Sequence, residues 1–347
     1  MPRHRGAQHG RTGSPARLRP ARGGRPPRPH GARVSGTFQR LRARLALTGA
    51  TGFVGSAVLD EALGHGHDLS ALTRRAQAAR DGVAWVEGTL HDQTSLEELC
   101  EGADAVIHVA GLTNTPDPAE FERANVAGTA NMIAAAKAAG VDRFVFVSSL
   151  SAREPELSAY GASKARAEKL VMESGLTWTI VRPPAVYGPR DTDMFELFRS
   201  ARLGVVPLPP GGATSIIHAH DLAALLVALG DTHGPKAAFR KVFEPDDGRE
   251  GGWAHKELAQ AIGRAVGRRA VFAPHLPRGV LDMAARADRM LRGDAAKLTA
   301  DRVGYMAHPN WVARSDRQVP GEIWEPRIGG EEGLKATAEW YVREGWL

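Results

Sequence analysis

The sequence predicts an α/β protein built on a doubly wound parallel sheet, with a smaller, mostly helical C-terminal part. Three observations lead there. From Leu45 to about Pro183 short apolar runs alternate with stretches of helical period. A glycine-rich turn, LALTGATGFVG, joins the first apolar run to the first helical stretch. Past Pro189 the texture changes, and VVPLPPGGATS brings in Pro and Gly. Continuous apolar runs are the pattern of strands buried on both faces, and helices between them supply the crossovers of a parallel sheet.

Taken in order, RLALTG is a strand that ends in a glycine turn, and FVGSAVLDEALGHG is a helix stopped by glycines. LSALT and VAWVEG read as the next two strands, and LEELC as a short helix. ADAVIHVAG is a buried strand, followed by one long helix over AEFERANVAGTANMIAAAKAAG that Gly140 ends. RFVFVSS is a strand, AYGASKARAEKLVMESG a helix, and TWTIVRPP a strand ended by its prolines. IIHAHDLAALLVAL returns to strand and helix, and the chain from about residue 234 mixes loops and helices. The boundaries that follow are residues 41–188 for the first body, with 214–233 returning to it, and residues 189–213 and 234–347 for the second.

Net charge is +6, but its distribution argues against a nucleic-acid partner. Residues 1–44 hold twelve Arg and no Asp or Glu, which leaves −6 for the remainder. Residues 1–40, rich in Pro, Gly and Arg with few apolar residues, cannot offset their ordering entropy and are expected to be a disordered basic tail. Translation that begins near Val34 is the companion expectation. The single Cys100 excludes an intrachain disulfide and fits a reducing, cytoplasmic setting. No apolar run reaches the roughly 18 residues of a membrane span, and no Cys/His spacing, HAH at 218–220 included, suggests a metal site.

Gly49, Gly52 and Gly55 lie between the first strand and the first helix. A glycine turn there lets backbone N–H groups approach a pyrophosphate, and the helix dipole favours the anion. The first body is therefore read as a dinucleotide-binding Rossmann domain. At the end of the second strand, where a carboxylate would bind the ribose of NAD, the chain has LTRR. A guanidinium at Arg74 suits a 2′-phosphate, so NADP(H) is favoured, with NAD(H) left open.

YGASK places Tyr160 four residues before Lys164, which alone says only that they share a helix face. Order supplies the rest. TGATGFVG, DAVIHVAG, NVAGT, FVSS, YGASK, RPPAVYGP and IIHAHDLA follow one another as in the extended, epimerase/dehydratase branch of the short-chain dehydrogenase/reductase superfamily, which residues 45–347 resemble. The resemblance implies a catalytic set of Ser149, Tyr160 and Lys164, with Ser151 as runner-up to Ser149. It implies cofactor contacts from Gly49, Thr51, Gly52, Phe53, Val54, Gly55, Ala110, Gly111, Asn125, Lys164, Pro183 and Val186, and marks Asn125 as a helix-kink position. The chain departs from the branch at VEGTLHD, where Thr89 stands in place of an Asp that contacts the adenine.

Hydride exchange at a carbonyl carbon needs one proton moved at the oxygen. Tyr160 would be the donor in reduction, and the cation of Lys164 is expected to lower its pKa. The reading is an NADP(H)-dependent oxidoreductase of a secondary alcohol or ketone on a small apolar or cyclic substrate, similar to dihydroflavonol reductases and 3β-hydroxysteroid dehydrogenases. Two alternatives stay open: a nucleotide-sugar epimerase or dehydratase with retained cofactor, and a non-catalytic dinucleotide-binding subunit. SSLSARE lacks the Thr-Asp-Glu run of dehydratases, which weighs against the former. A homodimer is compatible with every reading.

Overall fold

Leu45 and Leu47 face one apolar core and Ala46 faces another, and the same alternation recurs at Ala105 and Ile107 against Val106, and at Val145 and Val147 against Phe144 and Phe146. Successive side chains of a strand point to opposite faces, so these residues require a sheet covered on both sides. The computed structural model describes residues 42–347 except 233 and 235, and the tail expected over residues 1–40 lies outside the described residues.

In chain order the elements of the first body are β1 (Arg44–Thr48), α1 (Phe53–Gly64), β2 (Asp68–Thr73), β3 (Val83–Glu87), α2 (Gln93–Cys100), β4 (Ala105–His108), α3 (Pro118–Phe121), α4 (Gly128–Ala138), β5 (Arg143–Val147), α5 (Ala159–Glu173) and β6 (Thr177–Val181). Then come β7 (Ala185–Tyr187), α6 (Phe195–Arg202), β8 (Ala213–Thr214), β9 (Ile216–His218), α7 (Ala219–Gly230) and β10 (Lys241–Phe243). The chain closes with β11 (Trp253–Ala254), α8 (His255–Ala265), α9 (Arg278–Arg292), α10 (Ala300–Met306), β12 (Asn310–Trp311) and α11 (Gly330–Arg343).

The main sheet has seven strands in the order β10-β6-β5-β4-β1-β2-β3, each pair parallel. The order reverses between β1 and β4, and a crevice opens there at the carboxyl ends of the strands. One face is covered by α1 and α7, the other by α2, α4 and α5. The edge strand β10 comes from a stretch that the sequence assigned to the second body; its Val242 and Phe243 complete the two cores beside β6. A third core, around Phe198, Trp253, Ile262, Leu334 and Tyr341, gathers α6, α8 and α11.

The long helix expected after β4 is continuous but uneven: between α3 and α4, Glu122–Ala127 forms a π-helical turn that contains Asn125. Such wide turns recur at functional sites.

Buried charge ties the sheet to the C-terminal segments. Glu244, just after β10, is fully buried and pairs with Arg153 at 3.2 Å and Arg182 at 3.4 Å, while Arg182 also grips Glu168 of α5 at 2.6 Å. Glu244 further accepts the Arg314 backbone N–H, and Arg153 donates to the carbonyls of Val312 and Asn310. Removing one partner of such a network leaves buried charge uncompensated, so Glu244→Ala is expected to lower the unfolding free energy by about 3–5 kcal/mol in urea titrations.

Candidate active site

The turn from β1 into α1 is shaped by what glycine lacks. Gly49 has φ +77°, and a Cβ there would lie 2.9 Å from the Ala110 nitrogen at the end of β4. A Cβ on Gly55 would lie 2.0 Å from the Gly49 carbonyl oxygen, so only glycine lets α1 start this close to the turn. Gly52 is the N-cap of α1 and offers no side chain to its first N–H groups, which leaves them directed at the crevice. Behind the turn, Thr48 Oγ1 meets His108 Nδ1 at 2.7 Å and accepts the Ala110 N–H, and His108 Nε2 lies 3.1 Å from Thr129 Oγ1. Full burial pushes His108 down to about 3, so the ring stays neutral and serves as a strut.

The second wall comes from α5. Ser158 caps it by accepting the Gly161 N–H, and a Cβ at Gly161 would lie 2.6 Å from the Ser151 carbonyl, so glycine again allows the close approach. That approach sets the Tyr160 phenol beside Ser149, whose own hydroxyl lies 3.3 Å from Ser151 Oγ. Lys164 Nζ donates to the Val147 carbonyl at 2.7 Å and sits 4.4 Å over the Phe146 ring. A Cβ on Gly111 would lie 3.0 Å from Asn125 Oδ1, tighter than ordinary contact, so glycine lets the loop after β4 lie close against Asn125.

These walls bound one cavity of about 1020 Å³. Gly49, Gly52, Phe53, Val54, Gly55, Ala110, Gly111, Ser149, Tyr160, Lys164, Pro183 and Val186 all line it, as does Ser151. Three sequence-predicted residues do not. Thr51 is exposed on the turn, and Arg74 is exposed immediately after β2. Asn125 is buried behind the wall, where its amide exchanges hydrogen bonds with the Leu112 backbone and donates to Ser163 Oγ; it braces the loop after β4 against α5. Thr89 is exposed and accepts the His91 N–H.

The electrostatics differ from the sequence expectation at one point. Burial pushes the Tyr160 phenol above its ordinary range, and the Ser149 hydroxyl and the Arg302 charge oppose it only in part. The ammonium of Lys164 is directed at Val147 and Phe146. A raised pKa keeps Tyr160 protonated, the form that can donate. Burial also lowers Lys164 to about 8.

The sequence reading missed α10. Asp301 accepts the backbone N–H groups of Ala159 at 2.5 Å and Tyr160 at 3.3 Å, and so holds the first turn of α5 from a segment far along the chain. A Cβ on Gly304 would lie 2.3 Å from the Leu157 carbonyl, and the Tyr305 ring packs 6.0 Å from that of Tyr160. Thr299, the N-cap of α10, was the available signal in LTADRVGYM.

The sequence matches the model of the NAD(P)H-binding family over residues 49–232. It is 34% identical over 318 residues to the ceramide reductase of Caulobacter vibrioides, covering 88% of this chain and 96% of that protein. It is 28% identical over 333 residues to the 2-alkyl-3-oxoalkanoate reductase of Stenotrophomonas maltophilia, covering 84% and 97%. The structure is similar to that of the UDP-glucose 4-epimerase of Thermotoga maritima solved with UDP-glucose, with a TM-score of 0.65, 20% identity and coverage of 87% and 99%; at that identity the likeness concerns the fold. The chain belongs to the NAD(P)H-binding family, within the extended short-chain dehydrogenase/reductase superfamily. It is an NAD(P)-dependent oxidoreductase.

The lowered Lys164 makes a prediction about stability. The folded chain releases this proton near pH 8, whereas the unfolded chain keeps it to about 10.5. Between those values the unfolded state binds more protons, so this group raises stability as pH increases. Urea midpoints at pH 7.5, 9 and 10 should therefore improve for the wild type relative to Lys164→Met; a constant gap would refute it.

Proposed function

We propose that the protein interconverts a ketone and a secondary alcohol on a lipophilic substrate, with NADP(H) as cofactor and Ser149, Tyr160 and Lys164 as the catalytic set. One observation carries this reading. A single cavity runs from the glycine turn past Ser149, Tyr160 and Lys164 into a chamber walled by Leu208, Leu258, Ile262, Leu298, Met306 and Trp311. The substrates named for the two reductases, a ceramide and a 2-alkyl-3-oxoalkanoate, are lipophilic and support the same class.

The residues present fit a dinucleotide: the turn has no room for side chains, the N-terminus of α1 is open, and the buried Ser148 hydroxyl on the cavity wall has no protein partner. Gly49, Gly52, Phe53, Val54 and Gly55 would hold its pyrophosphate, Arg74 a 2′-phosphate, and Lys164 its ribose hydroxyls. When bound, the cofactor supplies or accepts a hydride. Ser149 orients the substrate oxygen by donating a hydrogen bond. Tyr160 gives that oxygen its proton in reduction and takes one back in oxidation. The apolar walls exclude water and strengthen both hydrogen bonds.

A nucleotide-sugar substrate would need free cations for its pyrophosphate. In the far chamber Lys297 pairs with Glu196 at 2.8 Å, Arg302 with Asp193 at 3.2 Å and Arg292 with Asp288 at 3.3 Å. Those pairs favour the ketone reading over epimerisation.

Tyr160→Phe should leave the NADPH dissociation constant within about twofold and lower single-turnover hydride transfer to a lipophilic ketone by about 10²–10⁴. Lys164→Ala should lose both affinity and rate. A Tyr160→Phe enzyme within about threefold of wild type overturns the mechanism. Arg74→Glu should weaken NADPH by about 1.5–3 kcal/mol and shift preference towards NADH; titrations of both cofactors by nucleotide fluorescence decide it.

A further inference from the structure

Helix α9 is held to the body by little. Of its side chains only Leu281 and Ala285 are buried, in a cluster with Val303 of α10. Its opposite side is apolar and open: Val280, Met283, Met290 and Leu291 are 44%, 68%, 87% and 86% exposed. With the exposed Ala287 these residues recur at helical spacing and form one stripe along the axis. A water-facing helix does not place two Met and a Leu on one stripe without reason.

Charge gives the stripe its partner. The segment 268–292 carries six Arg, all exposed, against two Asp. Of the two, Asp288 is already engaged by Arg292 and by the N–H groups of Lys297 and Leu298. Residues 45–347 as a whole are at −6, so a local +4 stands out on an acidic body. A second copy of the chain docking symmetrically here would bring two such segments together and repel itself. The basic first 44 residues of the chain have the same sign and are equally unsuited. An apolar stripe flanked by arginines is complementary to the surface of an anionic bilayer, where apolar side chains enter the acyl boundary and cations meet headgroups.

The flank of the same helix lines the cavity. Ala284, Asp288 and Arg292 lie on its wall, one turn apart, beside the stripe. We propose that α9 docks the protein on an anionic lipid surface, with the cavity mouth at the membrane so that a lipophilic substrate enters without crossing water. This rests on the lipophilic reading of the substrate above, but its test needs no turnover.

Full-length protein is floated with vesicles of neutral phosphatidylcholine, or of phosphatidylcholine with phosphatidylglycerol, beside a Met290→Ser/Leu291→Ser variant. Both substituted side chains are almost fully exposed, so folding and the thermal midpoint should not change. The variant keeps every charge, so any attraction from the basic N-terminal residues is equal in both proteins. Partition onto the anionic vesicles should exceed that onto neutral ones by about tenfold or more, weaken in high salt, and fall about tenfold in the variant. Turnover of a short, water-dissolved ketone should be the same for both. Equal flotation of the two proteins, no flotation of either, or a dimer in light scattering that the variant dissolves would each overturn the proposal. Binding without ketone reduction would instead refute the substrate reading and leave the docking intact.

Discussion

The α-carbon of Gly55 lies so near the Gly49 carbonyl that no side chain fits between them, and the geometry of the nucleotide end follows from that contact. It fixes where α1 begins and therefore where its open N–H groups point. Gly49 in turn presses on Ala110, so the ends of β1 and β4 are set against each other with no room for adjustment. The neutral His108 strut, bridging Thr48 and Thr129, holds the same junction from behind. A cradle for an anion can be built from backbone alone only where the backbone cannot shift.

The chemistry end depends on distant segments. The helix that carries Tyr160 and Lys164 is capped from its own chain by Ser158 and from α10 by Asp301. One turn beyond Lys164 it carries Glu168, which Arg182 joins to the buried Glu244 and thereby to Arg153 and the 310–314 segment. That helix is thus held at its first turn and again at Glu168 by residues that come later in the chain. The same contacts join the segments that wall the far chamber to the helix that carries Tyr160 and Lys164.

The strands and helices of the first body were legible because their apolar runs and periods reflect burial on two faces, and because Gly49, Gly52 and Gly55 follow a strand and open a helix. Tyr160, Lys164 and Ser149 could be picked out by their order among neighbouring motifs, and the structure brings them onto one wall. Three things were not legible. The strand Lys241–Phe243 is too short to give a periodic signal and is defined by the register it finds beside β6. The environment of Tyr160 depends on Ser149, Arg302 and burial, which no spacing along one helix encodes. Asp301 acts across a separation at which sequence gives no hint of contact, and its neighbours read only as another capped helix. Asn125 was marked as a kink, and the π-helical turn gives that mark a physical form, with the amide stitched to Leu112 and Ser163.

The pairing of α1 with α7 has a consequence for how the protein is made. The apolar face of α1, with Ala57, Val58, Leu59 and Ala62, is covered by Leu222, Ala223 and Leu226 of a helix encoded after the first helix of the substrate chamber. At a synthesis rate of about 5–20 residues per second, that face waits on the order of ten seconds on the ribosome for its cover. The nascent nucleotide-binding half therefore emerges with a greasy flank that only the later chain can close. A polypeptide that stops before Ala219 has no means of hiding it, which marks truncated products for capture by chaperones and proteases, while the finished chain seals the flank from within.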